Sequence, residues 1–172
     1  MTTVDTRTAR TGRVINQHQA GQRFEQHCAD ALRRLGYTAK RSLMSRGVAD
    51  VMASIDLPPQ IAAQWGSGWY QQRLLVQCKR YGARTKRGVP NVTTAEWNGL
   101  LELAQELGGL ALVVARPGPG QQALWWRVTG PKLGVRGKPA PCVPFALGSF
   151  VRPVGAKAPQ GFSAARWARM CR

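Results

Sequence analysis

The sequence predicts an α/β fold in which helices pack on a sheet, and three observations predict it. Phe24, Cys28, Leu32 and Leu35 recur at helical spacing. Leu74–Val76 and Leu110–Ala115 are apolar runs of strand length. Between those runs lies a second helical stripe, Trp97, Leu100, Leu101, Ala104 and Leu107. Helical and strand periodicities that alternate along one chain call for a sheet covered by helices.

The elements come in this order. A helix is expected from about Asn16 to Leu35, with Gly36 as its C-terminal stop. Tyr37 to Ser42 and Val48 to Ile55 read as two short strands, separated by the polar turn Leu43-Met44-Ser45-Arg46-Gly47. Residues 57 to 72 carry Pro58, Pro59, Gly66 and Gly68 and read as a long connection, either a functional loop or an ornament. Its Trp65, Trp69 and Tyr70 have two readings: stacking on unpaired bases, or covering the core. The strand Leu74 to Lys79 is next, then the basic loop Arg80 to Gly88. A second helix starts at Thr93 or Thr94, where Thr93-x-x-Glu96 has capping-box spacing. Leu110 to Ala115 is a wholly apolar strand, Pro117 to Gly120 turns the chain, and Ala123 to Val128 returns as the last strand. Trp125 and Trp126, adjacent on a strand, face opposite sides, with one expected in the core and the other in a dimer interface or against DNA. Residues 1–14, polar and Thr-rich, read as a disordered basic arm, and 15–130 as the folded domain. Residues 131–172, with eight bases and no acids, read as a basic C-terminal extension, partly ordered, with a short helix from Ser163 to Met170.

A chain of 172 residues is about one domain's worth. Its net charge of +17 and pI near 11.3 oppose compaction and call for a polyanionic partner. Without a strongly basic amphipathic helix, nucleic acid is favoured over a membrane surface. Arginines outnumber lysines 19 to 6, which suits bidentate phosphate contacts and equally a GC-rich genome. No run approaches the roughly 18 apolar residues of a membrane span. The N-terminus, with Arg7, Arg10 and Arg13, lacks the apolar core of a secretory signal. The expectation is a cytoplasmic protein of a bacterium or of a phage-infected cell. Cys28, Cys78, Cys142 and Cys171 form no CxxC pair, and His18 and His27 complete no zinc site; reduced structural thiols are expected.

Only eight carboxylates exist, so each position is informative. Asp5 lies in the arm, Asp30 on the exposed side of the first helix, and Asp56 at a strand end. Glu96, Glu102 and Glu106 fall on or near the polar face of the second helix, where a solvated role is expected. Asp50 opens an apolar strand segment, where an acid is disfavoured unless paired or coordinated. Taken alone it is equally a strand-end acid that caps a turn or pairs with Arg41. Glu25 lies beside the apolar stripe of its helix and points over the sheet or out to water. Gln77 and Lys79 are two apart, so they share a strand face, and Lys79 either snorkels to solvent or meets an anion.

The ordered set Glu25, Asp50, Gln77-x-Lys79 resembles the PD-(D/E)xK nuclease superfamily, and most closely its archaeal-type Holliday junction resolvases. The resemblance spans residues 16 to 130. It runs through Gly21-x-x-Phe-Glu25, Gly36-Tyr37-x-x-x-Arg41-Ser42-x-x-Ser45, Val48-Ala49-Asp50-Val51-Met52-Ala53 and Val76-Gln77-Cys78-Lys79. The Glu96-to-Leu107 helix and the hairpin from Gly109 to Val128 complete it. One departure stands out: resolvases typically carry an acid where this chain has Gln77. The wording Val-Gln-Cys-Lys-Arg-Tyr instead resembles the methyl-directed, Mrr-type restriction endonucleases, in which glutamine is usual there.

The resemblance implies a restriction-endonuclease-like fold, a central mixed sheet flanked by helices, over a nuclease domain at 15–130. It implies a Mg²⁺-dependent endonuclease, with Mn²⁺ able to substitute. Asp50 would be the principal ligand, beside Gln77, the Cys78 backbone carbonyl and Glu25. Lys79 would orient or deprotonate the attacking water and stabilise charge on the phosphate. Arg41, Ser45 and Arg46 would grip the DNA strand near the cut. Arg80, Arg84, Lys86 and Arg87, directly after the active-site strand, would border the cleft. Glutamine at position 77 supplies an oxygen without charge, so weaker metal affinity or fewer bound ions is expected. The implied partner is branched DNA and the implied assembly a homodimer, since two symmetric cuts suit a two-fold. A restriction- or repair-type endonuclease, or an inactive DNA-binding protein on the same fold, are the alternatives. The short chain, with no evident room for a separate target-reading domain, leans toward the junction-cutting reading.

Overall fold

The structure is a computed structural model that describes residues 17–42, 48–66, 69–80, 92–117, 120–134 and 140–153. Helix α1 (Gln17–Arg34) is followed by strands β1 (Thr38–Arg41) and β2 (Val51–Asp56) and the short helix α2 (Pro59–Trp65). Strand β3 (Gln71–Arg80), helix α3 (Thr94–Glu106) and strands β4 (Leu110–Arg116), β5 (Leu124–Val128) and β6 (Cys142–Pro144) complete the order. The six strands form one mixed sheet in the order β1-β2-β3-β4-β5-β6. Only β3 and β4 run parallel, joined by the α3 crossover; every other neighbouring pair is antiparallel. The α/β expectation therefore holds.

Burial follows the two-residue period of the strands. Leu74, Val76, Leu110, Leu112 and Val114 turn to one face, where Phe24, Cys28, Ala29 and Leu32 of α1 cover them. Leu75, Ala111 and Val113 turn to the other, beneath Trp97, Leu100, Ala104 and Leu107 of α3. Strand β4 reads as an unbroken apolar run because both of its faces are covered. Two glycines set the helix exits. Gly36, at φ +88°, ends α1 while the Tyr37 N–H returns to the Leu32 carbonyl. Gly109 lies where a Cβ would meet Leu75 Cδ1 at 2.7 Å and the Arg73 carbonyl at 3.1 Å, so a larger residue where α3 passes into β4 would have to displace Leu75.

Ala123–Val128 is not the last strand, because β6 follows it, and two further differences from the expected reading are physical. Residues 59–65 form α2, whose Trp65 packs edge-on to Trp69, with ring centroids 6.5 Å apart, over Leu57 and Phe150. Trp65 and Trp69 thus cover a small core of their own, while Tyr70 stays 71% exposed. Trp125 and Trp126 are both buried, not one of the two.

Beyond Val128 the described residues, up to 153, pack on the domain. The Trp97 indole donates to the Gly130 carbonyl, and Asn98 exchanges two hydrogen bonds with the Lys132 main chain, so this segment straps α3. Strand β6 then adds to β5, and Phe145 enters the α1-side core. Gln72, only 1% exposed, fastens the stretch around Ser149 and Val151. Its Nε2 donates to the Tyr37 hydroxyl and the Ser149 carbonyl, and its Oε1 accepts from the Val151 N–H. The arm at 1–14 and the expected helix at Ser163–Met170 lie outside the described residues. Among the described residues, no helix is long and apolar enough to cross a membrane.

Candidate active site

The register of the sheet brings one set of chain ends together. β3 and β4 finish at Arg80 and Arg116, which are register partners. β2 begins at the same end, with Val51 opposite Val76, and β1 finishes there, with Arg41 opposite Val51. In open α/β sheets, ligands sit outside the carboxyl ends of parallel strands, and Arg41, Asp50, Gln77 and Lys79 lie toward this end.

Asp50 lies one residue before β2. Its N–H donates to the Val76 carbonyl at 2.8 Å, and its carbonyl accepts from the Ser42 N–H at 2.8 Å, so its main chain is fixed on both sides. Cys78, two residues beyond Val76, turns its main-chain groups to the same strand edge. Strand β2 has not yet begun there, and the Asp50 side chain takes its place: Oδ2 accepts from the Cys78 N–H at 2.7 Å. The same oxygen accepts from Gln77 Nε2 at 2.7 Å. Gln77 is 6% exposed, and with its amide donor committed to Asp50 its Oε1 is buried without a hydrogen-bond partner.

Burial pushes the Asp50 carboxyl up to about 6. The Cys78 N–H works against that, and of the neighbouring charges Glu25 and Glu96 raise it while Lys79 lowers it. Gln77 and Lys79 follow Leu75 at two-residue steps and so lie with it on the α3 side of the sheet. Glu25 comes from α1, on the opposite side, and its Oε2 is 3.4 Å from Arg41 Nε. The constellation therefore wraps the end of the sheet. Arg41, weighed in the sequence as a partner for Asp50, pairs with Glu25.

Glu96 is the correction that matters most. Expected to be solvated, it accepts from Lys79 Nζ on Oε1 at 2.7 Å. Its Oε2 accepts from the Thr93 N–H and Thr93 Oγ1, at 3.0 and 2.9 Å, in the capping box that opens α3. Burial alone would raise the Glu96 carboxyl, but the hydrogen bonds from Lys79 and Thr93 outweigh it and hold it below the usual glutamate range.

Arg116 is the other residue that sequence reasoning passed over. Its guanidinium carbon sits 5.3 Å from the centroid of the Phe24 ring, and its buried Nε has no hydrogen-bond partner. The half-buried Cys78 thiol is hydrogen-bonded to Cys28, and that bond together with burial pushes it well above the ordinary thiol value. Ser45, Arg46, Arg84, Lys86 and Arg87, and the Arg80 side chain, lie outside the described residues. An open cavity of about 580 Å³ between α1 and the β5–β6 edge, lined by His27, Trp125 and Phe145 among others, contains none of Asp50, Gln77 or Lys79.

Among the described residues, no group of three or more His, Cys, Asp or Glu side chains stands ready to hold a metal ion. The donors at Asp50 are of another kind: one carboxylate, one orphaned amide oxygen, and a main-chain carbonyl on the same strand edge. Such an all-oxygen set fits a hard divalent cation.

Residues 17–99 match the family model of the Mrr catalytic domain, described as a restriction endonuclease. Over these residues, just under half of the chain, the protein is similar to a restriction-endonuclease catalytic domain. The match runs from the start of α1 into α3 and so takes in Glu25, Asp50, Gln77, Lys79 and Glu96. This domain is also similar to a solved structure of Hjc, a Holliday junction resolvase from the archaeal hyperthermophile Archaeoglobus fulgidus, at 20% identity and a TM-score of 0.43. That similarity covers 62% of this chain and 70% of the other. No curated protein matches the sequence.

Proposed function

We propose that this protein is a divalent-cation-dependent DNA endonuclease that hydrolyses phosphodiester bonds at the Asp50–Gln77–Lys79 end of the sheet. One observation carries the reading. A half-buried carboxylate at the mouth of the sheet accepts from Gln77 Nε2 and the Cys78 N–H, and the oxygen of the same Gln77 amide is buried without a partner. Leaving such an acceptor unsatisfied costs about 1–3 kcal/mol, a cost that ligation of an oxygen-seeking cation removes.

The residues that would hold the ion, Mg²⁺ or Mn²⁺, are Asp50, Gln77 through Oε1 and the Cys78 carbonyl, with Glu25 directly or through water. When bound, it supplies Lewis-acid charge to the scissile phosphate. Lys79, as an ammonium, meets the negative charge that builds on the phosphoryl oxygens and orients the attacking water. Arg41, Ser45, Arg46, Arg80, Arg84, Lys86 and Arg87 grip neighbouring phosphates, in keeping with a chain of net charge +17.

For substrate we propose four-way DNA junctions, cut symmetrically by a homodimer, on the resemblance of the ordered motifs to junction resolvases. The restriction-family match and the glutamine at 77 favour a second reading, cleavage of linear duplex. Incubation with Mg²⁺ and either a labelled junction or a matched duplex separates them. Symmetric nicks in the junction alone support the first, cutting of both supports the second, and binding without cutting refutes the enzyme.

A further inference from the structure

We propose that Glu96 is a positioning residue for catalysis: anchored in the first turn of α3, its carboxylate holds the Lys79 ammonium in place for the scissile phosphate. This deepens the endonuclease reading above and presupposes it.

The geometry divides the two oxygens of Glu96 between two tasks. Oε2 closes the capping box through the Thr93 N–H and hydroxyl, at 3.0 and 2.9 Å. Oε1 is thereby directed outward from the helix and takes Lys79 Nζ at 2.7 Å. Lysine is a flexible stem with a point charge, and nothing on its own strand fixes it, because Gln77 on the same face is neutral and spends its donor on Asp50. The parallel crossover supplies the missing anion. It carries the chain from the end of β3 to the start of α3 and so sets the first turn of that helix beside the end of the strand.

Both partners are partly open to solvent, the Lys79 side chain 26% and the Glu96 side chain 38% exposed, so a pair in this place adds little to stability. Its use is orientation. A reacting group held in a productive pose gains in rate, and a displacement of about 1 Å costs about 100-fold. Glu96 is not assigned to the cation, because both of its oxygens are engaged already.

The capping box makes the test clean, since glutamine at the third helical position closes it as well as glutamate does. Glu96→Gln therefore keeps the cap and removes the anion, whereas Glu96→Ala removes both. Full-length wild type, Glu96→Gln and Glu96→Ala are compared for kcat, KM for DNA, the Mg²⁺ concentration that gives half-maximal cutting, and Tm. The expected result for Glu96→Gln is a kcat lower by about 10- to 100-fold, with KM, Mg²⁺ requirement and Tm unchanged. Glu96→Ala loses kcat similarly and melts earlier as well. A Glu96→Gln enzyme with wild-type kcat overturns the proposal. So does one whose main defect is a raised Mg²⁺ requirement, which would make Glu96 a ligand, or a lowered Tm, which would make it structural. Wild-type protein that cuts no DNA overturns the endonuclease reading, and this proposal with it.

Discussion

Gln77 donates its amide to Asp50 Oδ2 at 2.7 Å, and the other end of the same amide is left buried with nothing to accept. The two facts are linked: with its donor spent on Asp50, the Gln77 amide is fixed and its oxygen is left for another partner. A carboxylate and a free amide oxygen on neighbouring residues at the end of a sheet are donors that suit positive charge. The neutral partner also lowers the like-charge repulsion that a second acid would bring.

Asp50 destabilises the cation-free fold at neutral pH. Its carboxyl rises from an ordinary 3.8 to about 6 on folding, so the folded protein binds the proton more tightly than the unfolded chain does. The stabilisation is complete below pH 3.8, falls as pH rises toward 6, and is gone above it. The gap corresponds to about 3 kcal/mol at about 1.4 kcal/mol per pH unit. Asp50→Asn should therefore unfold at higher urea than wild type at pH 8 without divalent ions, with an advantage that shrinks by pH 4. An equal effect at both pH values would contradict the burial.

Mg²⁺ should raise the Tm of wild type, because a ligand that binds only the folded state stabilises it by mass action. The rise should be smaller at pH 5, where protons compete for Asp50, and absent in Asp50→Asn. Differential scanning fluorimetry over a Mg²⁺ series reads this directly. A shift that Asp50→Asn retains would place the ion elsewhere.

Gln77→Glu should trade stability for affinity. A buried carboxylate at 77 facing Asp50 costs the cation-free protein Tm, and the added charge lowers the Mg²⁺ concentration needed for half-maximal cutting. An unchanged Mg²⁺ requirement would remove position 77 from the ion's surroundings.

Much of the fold was legible in the chain, for reasons that can be named. α1, α3, β3 and β4 each bury a full stripe or run, so their periodicity is set by the core they face. Asp50, Gln77 and Lys79 stood out because charge and amide interrupt buried strands, where chance does not leave them. α2 was missed: seven residues between glycines and prolines carry too little pattern to separate a helical turn from a loop. β6 was missed for the same reason, a three-residue edge strand containing proline. Glu96 was hidden by its local signal. The Thr93-x-x-Glu96 capping box explains the residue fully at the level of sequence, and its second contact depends on where the β3–α3–β4 crossover returns the helix.

Gln72 should prove the most costly polar residue outside the site. Gln72→Leu fills the space yet strands the Ser149 carbonyl and the Val151 N–H, two main-chain groups that now meet the buried amide. A loss of about 2 kcal/mol in chemical denaturation is expected, with residues 140–153 becoming protease-sensitive first. Unchanged proteolysis would mean that this segment is held by β6 alone.

DNA affinity should fall with salt by about 0.9 log units per log unit of salt for each phosphate contact. Neutralising Arg84, Lys86 and Arg87 together to Gln should flatten that slope by about 2.7 if each contacts one phosphate. Fluorescence anisotropy across a salt series measures it, and a slope equal to that of wild type would take the loop out of the interface.

The decisive comparison is cutting of labelled DNA by wild type and Asp50→Asn, side by side, with Mg²⁺ and with chelator, at protein concentrations that saturate binding for both. Cation-dependent cutting by wild type, falling by about three orders of magnitude or more in Asp50→Asn while binding persists, is the expected result. Equal cutting by the two proteins, or cutting that survives the chelator, would contradict a cation-dependent centre at Asp50.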